Sequence, residues 1–474
     1  MIVHRRKVRN RHRLDDGSRS ETSLPVAPDV ASIADRLDRL PPSRWHRRVV
    51  TLLGLGSFFN FFELALGGFF AVLLATEWPL TLLDRSLIIG SVFAGETVGS
   101  LLLAPLADRL GRRALFQVNL LLYGGLSMAT ALAPNLGMFL IMRVLTGVGL
   151  GAELILVDTY LAELLPADRR GRYMAWSYTL GLIAAPVVGG LARAANVTIL
   201  GVAGWRWLLV MVGFGGLVVW LARRRLPESP RWLAATGHVA QADRLVTAIE
   251  RTVYDESATK ADQPWAVDSA RANHATVARP PSFSQYRPRK LLLWLIWVLQ
   301  PIGFYGFAAL APVVVLAKGF DLSHSLTYSA LHSVGFPLGS LISVYLTDRV
   351  ERRGLLVAAT FAAALFIVSF GFAAAPALII AFGIATTISL VVQSNIIHTY
   401  HAELFQTANR STAIGLPYAA SRLVSALVPL VALPTLSVVG ASGLYACCAL
   451  PMAAMALLTL VLGPRVNKQQ LDTF

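Results

Sequence analysis

Charged residues are scarce in this sequence, and a few of them stand inside long apolar runs. Glu63 lies midway through the run near 50–74, Glu96 in 87–107, Arg143, Glu153 and Asp158 in 137–161, and Arg422 in 413–434. An ionised group in an apolar stretch of this length costs about 2.5–3.5 kcal/mol on insertion scales, so it must face a partner or a cavity. Glu63 and Arg143 are natural partners: an arginine that holds the carboxylate in one state and leaves it in another lets Glu63 take and give a proton. We therefore expect a proton-coupling set of Glu63, Arg143 and, next in line, Glu153. The alternative is a static ion pair that fixes two helices. Glu153 and Asp158 are five apart and cannot share one face of a helix. Asp158, toward the end of its run, suits a gate, and Glu96, among Gly95 and Gly99, reads as close helix packing.

Polar and aromatic side chains near the centres of the runs are candidate contacts for a small molecule: Asn60, Tyr178, Gln300, Tyr305, Gln393, Asn395 and Arg422. Arg422 is the sharpest of these. It has no acid in its own run, and a guanidinium fork matches a carboxylate bidentately; the competing reading pairs it with an acid of another helix. Phe58, Phe59, Phe61 and Phe62 read as packing, and His332 and His398 as buried neutral histidines.

The runs that carry these residues set the architecture. The 474 residues are 55% hydrophobic and only 15% charged, and the mean hydropathy is +0.59. Soluble domains do not have this composition. A bilayer pass takes roughly 20 apolar residues, and such stretches recur near 50–74, 87–107, 114–133, 137–161, 174–194, 204–222, 291–317, 325–347, 354–374, 376–399, 413–434 and 438–462. The expected fold is all-α and integral to the membrane, with twelve transmembrane helices in two homologous six-helix bundles. Its divisions are a basic tail over 1–48, unstructured to about residue 35, a first bundle over 49–223, a connector over 224–289, a second bundle over 290–463 and a tail over 464–474. Within the connector, 238–252 is expected to form a short surface helix.

The net charge of +15 would suit nucleic acid if it lay on one soluble face. Instead, 36 of the 42 Lys and Arg fall on one side of the predicted passes, 12 in the amino tail and 12 between the sixth and seventh runs. Positive loops stay cytoplasmic, so both termini are expected there. The lipid bilayer is the expected partner of this chain, and nucleic acid is not. The adjacent Cys447 and Cys448 are poorly placed to bridge, and no cleaved signal peptide is apparent. No metal-ligand cluster, nucleophile motif or phosphate-binding loop occurs, so no cofactor and no enzymatic activity are expected. The localisation expected is a bacterial inner membrane, as a multi-pass monomer.

The sequence repeats itself at an offset of 240 residues. Asp108-Arg109-Leu110-Gly111-Arg112-Arg113 aligns with Asp348-Arg349-Val350-Glu351-Arg352-Arg353, and Glu163 and Arg170 with Glu403 and Arg410. Two loops agreeing in one register mark a duplication, and duplicated membrane bundles place their site between the halves. At these residues the chain resembles the major facilitator superfamily. Arg143, Gly147, Gly149, Gly151, Glu163, Pro166 and Arg170, with Pro227-Glu228-Ser229-Pro230-Arg231-Trp232-Leu233, are similar to its sugar-porter and metabolite branch. The approach Leu37-Asp38-Arg39-Leu40-Pro41 and an aromatic, acidic first pass resemble the metabolite:proton symporters. Gln300-Pro301-Ile302-Gly303 lacks the paired glutamines of hexose carriers.

The resemblance implies secondary active transport by alternating access, with a small organic anion carried together with protons. It also implies a cytoplasmic gate of Asp108, Arg109, Arg112, Glu163, Arg170, Glu228, Arg231, Asp348, Arg349, Glu403 and Arg410, pairing across the halves when the carrier faces outward. A drug or waste exporter working by proton antiport, or a sugar facilitator, is the alternative.

Overall fold

The computed structural model describes residues 30–166, 169–258, 287–346, 349–404 and 410–463. The first half contains α2 (Arg44–Leu73), α3 (Leu82–Leu110), α4 (Arg112–Thr130), α5 (Leu136–Leu150), α6 (Glu153–Leu164), α7 (Arg170–Leu182), α8 (Ala184–Ala194) and α9 (Gly204–Arg223), preceded by α1 (Val30–Asp38). A two-stranded hairpin, β1 (Thr198–Ile199) and β2 (Val202–Ala203), links α8 to α9. After α10 (Pro230–Ala235) and α11 (Val239–Ala258), the second half contains α12 (Arg287–Ala308), α13 (Ala311–Ala317), α14 (Leu322–Ser333), α15 (Gly335–Leu346), α16 (Arg352–Phe372), α17 (Pro376–Leu404) and α18 (Arg410–Leu462).

Helix starts follow the sequence's capping residues. Thr81 and Asp84 form a reciprocal capping box on α3, Asn135 caps α5, and Ser229 with Pro230 opens α10. Asp321 caps α14, and the backbone N–H of His324 holds its carboxylate below the usual range. Prolines break the passes where they remove an i→i−4 bond. Pro186 follows the α7/α8 break, Pro312 the α12/α13 break and Pro337 the α14/α15 break.

Among the described residues, ten segments are long and apolar enough to cross a bilayer. The longest, Leu416–Leu462, turns at Gly440, whose φ of 68° only glycine adopts easily, and so makes two passes. The 19-residue α4, made more polar by Gln117 and Asn119, supplies another. The total is the twelve expected from the sequence, six in each half.

On the side away from the basic loops the halves touch almost backbone to backbone. The Ser86 hydroxyl donates to the Pro429 carbonyl at 3.0 Å, and a Cβ at Gly90 would lie 2.6 Å from the Ala426 carbonyl. Gly68 and Gly189 face Ala309 and Ala330 just as closely. Nearer the centre, the hydroxyls of Thr179 and Ser340 lie 2.8 Å apart across the same boundary.

Beside the basic loops, α1, α10 and α11 build a small core from Ile33, Leu37, Leu233, Val246 and Val253. Arg36 crosses it to Glu250 at 2.6 Å and Asp243 at 2.5 Å, and these partners, Glu250 foremost, raise its already high pKa. The tail expected to be unstructured to about residue 35 therefore becomes helical from Val30, because Ile33 and Leu37 have an apolar surface to cover. The surface helix expected over 238–252 extends from Val239 to Ala258. The first 29 residues of the basic tail and the tail over 464–474 lie outside the described residues. Cys447 and Cys448 are free.

Candidate functional site

Arg422 is buried in the centre of the molecule, on the same face of α18 as Tyr418 one turn earlier. One terminal nitrogen donates to the Tyr305 hydroxyl of α12 at 2.5 Å and the other to the Tyr418 hydroxyl at 2.5 Å. Its Nε lies 3.4 Å from Glu96 Oε2 on α3, in the other half. Arg422 is thus not the lone cation its own run suggests, and Glu96 is more than a packing residue. For Arg422 this is the competing reading, a pair with an acid of another helix; the packing reading of Glu96 missed its partner because the two are far apart in sequence and on different bundles.

Arg422 lines a narrow cavity between the halves together with Tyr178, Gln300, Tyr305, Asn395 and His398. Five of the seven expected contacts therefore share one space. Asn395 donates to Ser343 at 2.6 Å and Ser340 at 3.2 Å, which fixes its amide against α15. Tyr178 donates to both Asp158 carboxylate oxygens at 3.0 Å, and His398 Nδ1 lies 3.7 Å from the same carboxylate, so Asp158 joins α7 to α17. Asn60 and Gln393 do not line the cavity. Asn60 points into the first bundle, fully buried, and Gln393 donates to Thr360 at 3.1 Å inside the second. Mid-pass position alone does not say which face of a helix a residue occupies.

Two further ion pairs lie inside the first bundle, away from the cavity. Arg143 donates to Glu63, which also accepts from the Ser127 hydroxyl at 3.1 Å, and all of these groups are buried. Glu153 accepts from Arg223 at 2.6 Å, both side chains being fully buried. Arg223 also donates to the carbonyls of Leu52 and Leu53 and lies over the Phe116 ring, 4.7 Å from its centroid. The sequence reading counts Arg223 among the cations of the loop after the sixth run, because a basic residue in a last helical turn looks like a loop charge. The signal available was Glu153, a buried acid in need of a base.

The gate residues of the first half form a connected network. Arg112 bonds Asp108 at 2.7 Å and Glu163 at 3.2 Å, and Glu228 accepts from the backbone N–H groups of Arg112 and Arg113. Arg231 donates to the Glu163 carbonyl at 3.0 Å, and Asp38 of α1 receives both Arg231 at 2.8 Å and Arg170 at 3.1 Å. Arg109 is exposed. Asp38 is the member the sequence reading missed. In the second half Arg349 stacks on Tyr345, 3.8 Å from the ring centroid. Asp348 lies outside the described residues, as do the side chains of Glu403 and Arg410. The gate contacts named above fall within the first half and its flanking helices.

This arrangement of a central cavity between two duplicated six-pass bundles bears on the chain's relatives. The sequence profile described as "Sugar (and other) transporter" matches residues 49–474. The chain belongs to this family. It is a membrane transporter for a small molecule and not an enzyme. The transporter is 31% identical over 450 residues to the putative metabolite transport protein YyaJ of Bacillus subtilis, covering 93% of this chain and 97% of that one. It is 25% identical over 409 residues to the niacin transporter NiaP of Acinetobacter baylyi, covering 84% and 89%. Its fold is that of the major facilitator superfamily. The proton:xylose symporter XylE, bound to 6-bromo-6-deoxy-D-glucose, superposes with a TM-score of 0.68 at 19% identity, covering 90% of this chain and 98% of that one.

Proposed function

We propose that this transporter carries a small organic carboxylate together with protons by alternating access, as a monomer of a bacterial inner membrane. Both termini and the connector lie in the cytoplasm, with bundles over 49–223 and 290–463. The observation that carries the reading is the setting of Arg422. Its terminal nitrogens rest on two neutral hydroxyls, and its charge is balanced by a single carboxylate 3.4 Å away on the opposite half. An incoming carboxylate can take the place of Glu96 and add the second bond of a bidentate pair. The exchange loosens a tie between the halves. Glu63 and Arg143, a fully buried pair of the first bundle, supply the group that takes and releases the proton. A relative that transports niacin, an aromatic carboxylate, supports this substrate class.

The test is uptake by the purified protein in liposomes, screened over nicotinate, benzoate and short aliphatic carboxylates, their amides and pentoses, with and without an inward pH gradient. Accumulation of a carboxylate that collapses with the gradient is expected. Transport of the amides or pentoses alone would overturn the substrate class, and gradient-independent uptake would overturn the coupling.

A further inference from the structure

The interior of the first bundle holds polar groups that neither the cavity nor the gate uses. Along α2, Glu63, Asn60 and Gly56 lie on one face at helical spacing; along α4, Ser127, Tyr123 and Asn119 do the same and face them, since Ser127 bonds Glu63. The position of a Cβ on Gly56 would fall within 2.8 Å of Glu153 and against the Arg223 guanidinium. The two buried ion pairs thus stand at the two ends of one track, separated by seven residues of helix, or about 10 Å.

Between them, both side-chain polar atoms of Asn60 and of Asn119 and the hydroxyl of Tyr123 are buried with no hydrogen-bond partner among the described residues. One oxygen of Glu153 and Nε of Arg143 are in the same condition. Buried polar groups are satisfied by protein or by ordered water, and a polar interior site offering two to four partners is where such water resides. The facing surface of α9 has Gly216 at Tyr123, where a Cβ would lie 3.0 Å from the ring and 3.3 Å from its hydroxyl.

We infer that Asn60, Asn119 and Tyr123 hold a chain of water that relays protons between Glu63 and Glu153, by a route separate from the substrate cavity. This rests on Glu63 being the proton-carrying group proposed above. When Arg143 re-engages the Glu63 anion, the carboxyl passes its proton to the adjoining water. Each O–H bond along the chain breaks as the next one forms, and the last water protonates Glu153. Glu153 then gives the proton up toward the basic-loop end, which Arg223 marks in the last turn of α9, and its carboxylate pairs again with Arg223. Arg143 and Tyr123 face Glu63, and Arg223 and Tyr123 face Glu153; these are the charged and titratable groups around the two acids among the described residues. Arg422 and Glu96 take no part.

The experiment needs no substrate. Infrared spectra of the full-length protein in lipid nanodiscs, with the carboxyl band of Glu63 assigned through Glu63→Gln, give the rate at which that band responds to a pH jump. Tyr123→Phe keeps the ring and removes the hydroxyl; Asn60→Leu with Asn119→Leu dries the track. Each is expected to slow the response by at least about tenfold with the band's titration midpoint kept. An unchanged rate in both variants overturns the relay while leaving Glu63 as the coupling group. A Glu63 band that never titrates overturns the coupling reading and the relay with it. A structure at a resolution that shows water decides independently: water bridging Asn60 and Asn119 is expected, and direct bonding between the two amides in a dry interior overturns it.

Discussion

Glu96 and Arg422 reach toward each other from opposite bundles and stop 3.4 Å apart, while the terminal nitrogens of Arg422 stay with Tyr305 and Tyr418. If a carboxylate substrate replaces Glu96, Glu96→Gln should raise the apparent affinity for it and Arg422→Lys should lower it, because lysine cannot reproduce the fork. Concentration-dependent uptake measures both. Unchanged affinity in Arg422→Lys and Arg422→Gln alike would discard the anion clamp.

Glu63→Gln imitates permanent protonation. It should abolish accumulation driven by a pH gradient while sparing exchange of labelled for unlabelled substrate, which needs no net proton movement. Accumulation at the wild-type level would move the proton site to Glu153.

The Glu153 and Arg223 pair offers a stability test. Both side chains are fully buried, so Glu153→Leu alone leaves an uncompensated charge and should cost about 3–5 kcal/mol. The double variant Glu153→Leu with Arg223→Met should recover most of that loss. Thermal unfolding in detergent gives the ranking, and equal loss in single and double variants would show that the pair itself does not account for the cost.

Glu163 ties Arg112 and Arg231 together on the basic-loop side. The Arg112–Glu163 pair is largely buried, its side chains only 8% and 17% exposed, so removing the carboxylate is enough to bias a rocking equilibrium. Glu163→Gln should shift the population toward the inward-open state, read as faster labelling of a cysteine at the basic-loop end of α6. Labelling at the wild-type rate would remove Glu163 from the gate.

A Gly90→Leu side chain would enter the Ala426 backbone and hold the halves apart on the side away from the basic loops. Labelling of a cysteine at Ser86 should increase severalfold relative to a Gly125→Leu control, since Gly125 has open space around it. Equal labelling would mean that this contact is not the outer closure.

The twelve passes could be read from the sequence because bilayer thickness fixes their length and the 240-residue repeat fixes their grouping. The pairing of Glu63 with Arg143 was legible for a related reason: few charges exist inside the first bundle, so few matches are possible. Arg422 with Glu96 was not, because a contact between bundles leaves no periodic trace in either one. Asp38 escaped because α1 lies outside the passes, where hydropathy gives no reason to look for a partner. Asn60 and Gln393 were placed at the right depth and on the wrong face, since helices buried all round lack the one-sided pattern that would show their orientation.

The outer boundary between the halves is made of small residues on both sides: Gly68 against Ala309, Gly90 against Ala426, Gly189 against Ala330, and Ser86 against Pro429. Glycine, alanine and proline lose essentially no side-chain rotamer entropy when buried. Closing this boundary freezes few rotamers, and opening it frees few. The two states then differ little in conformational entropy at this joint, so the balance between them is left to the charges at the centre, and its temperature dependence should be shallow.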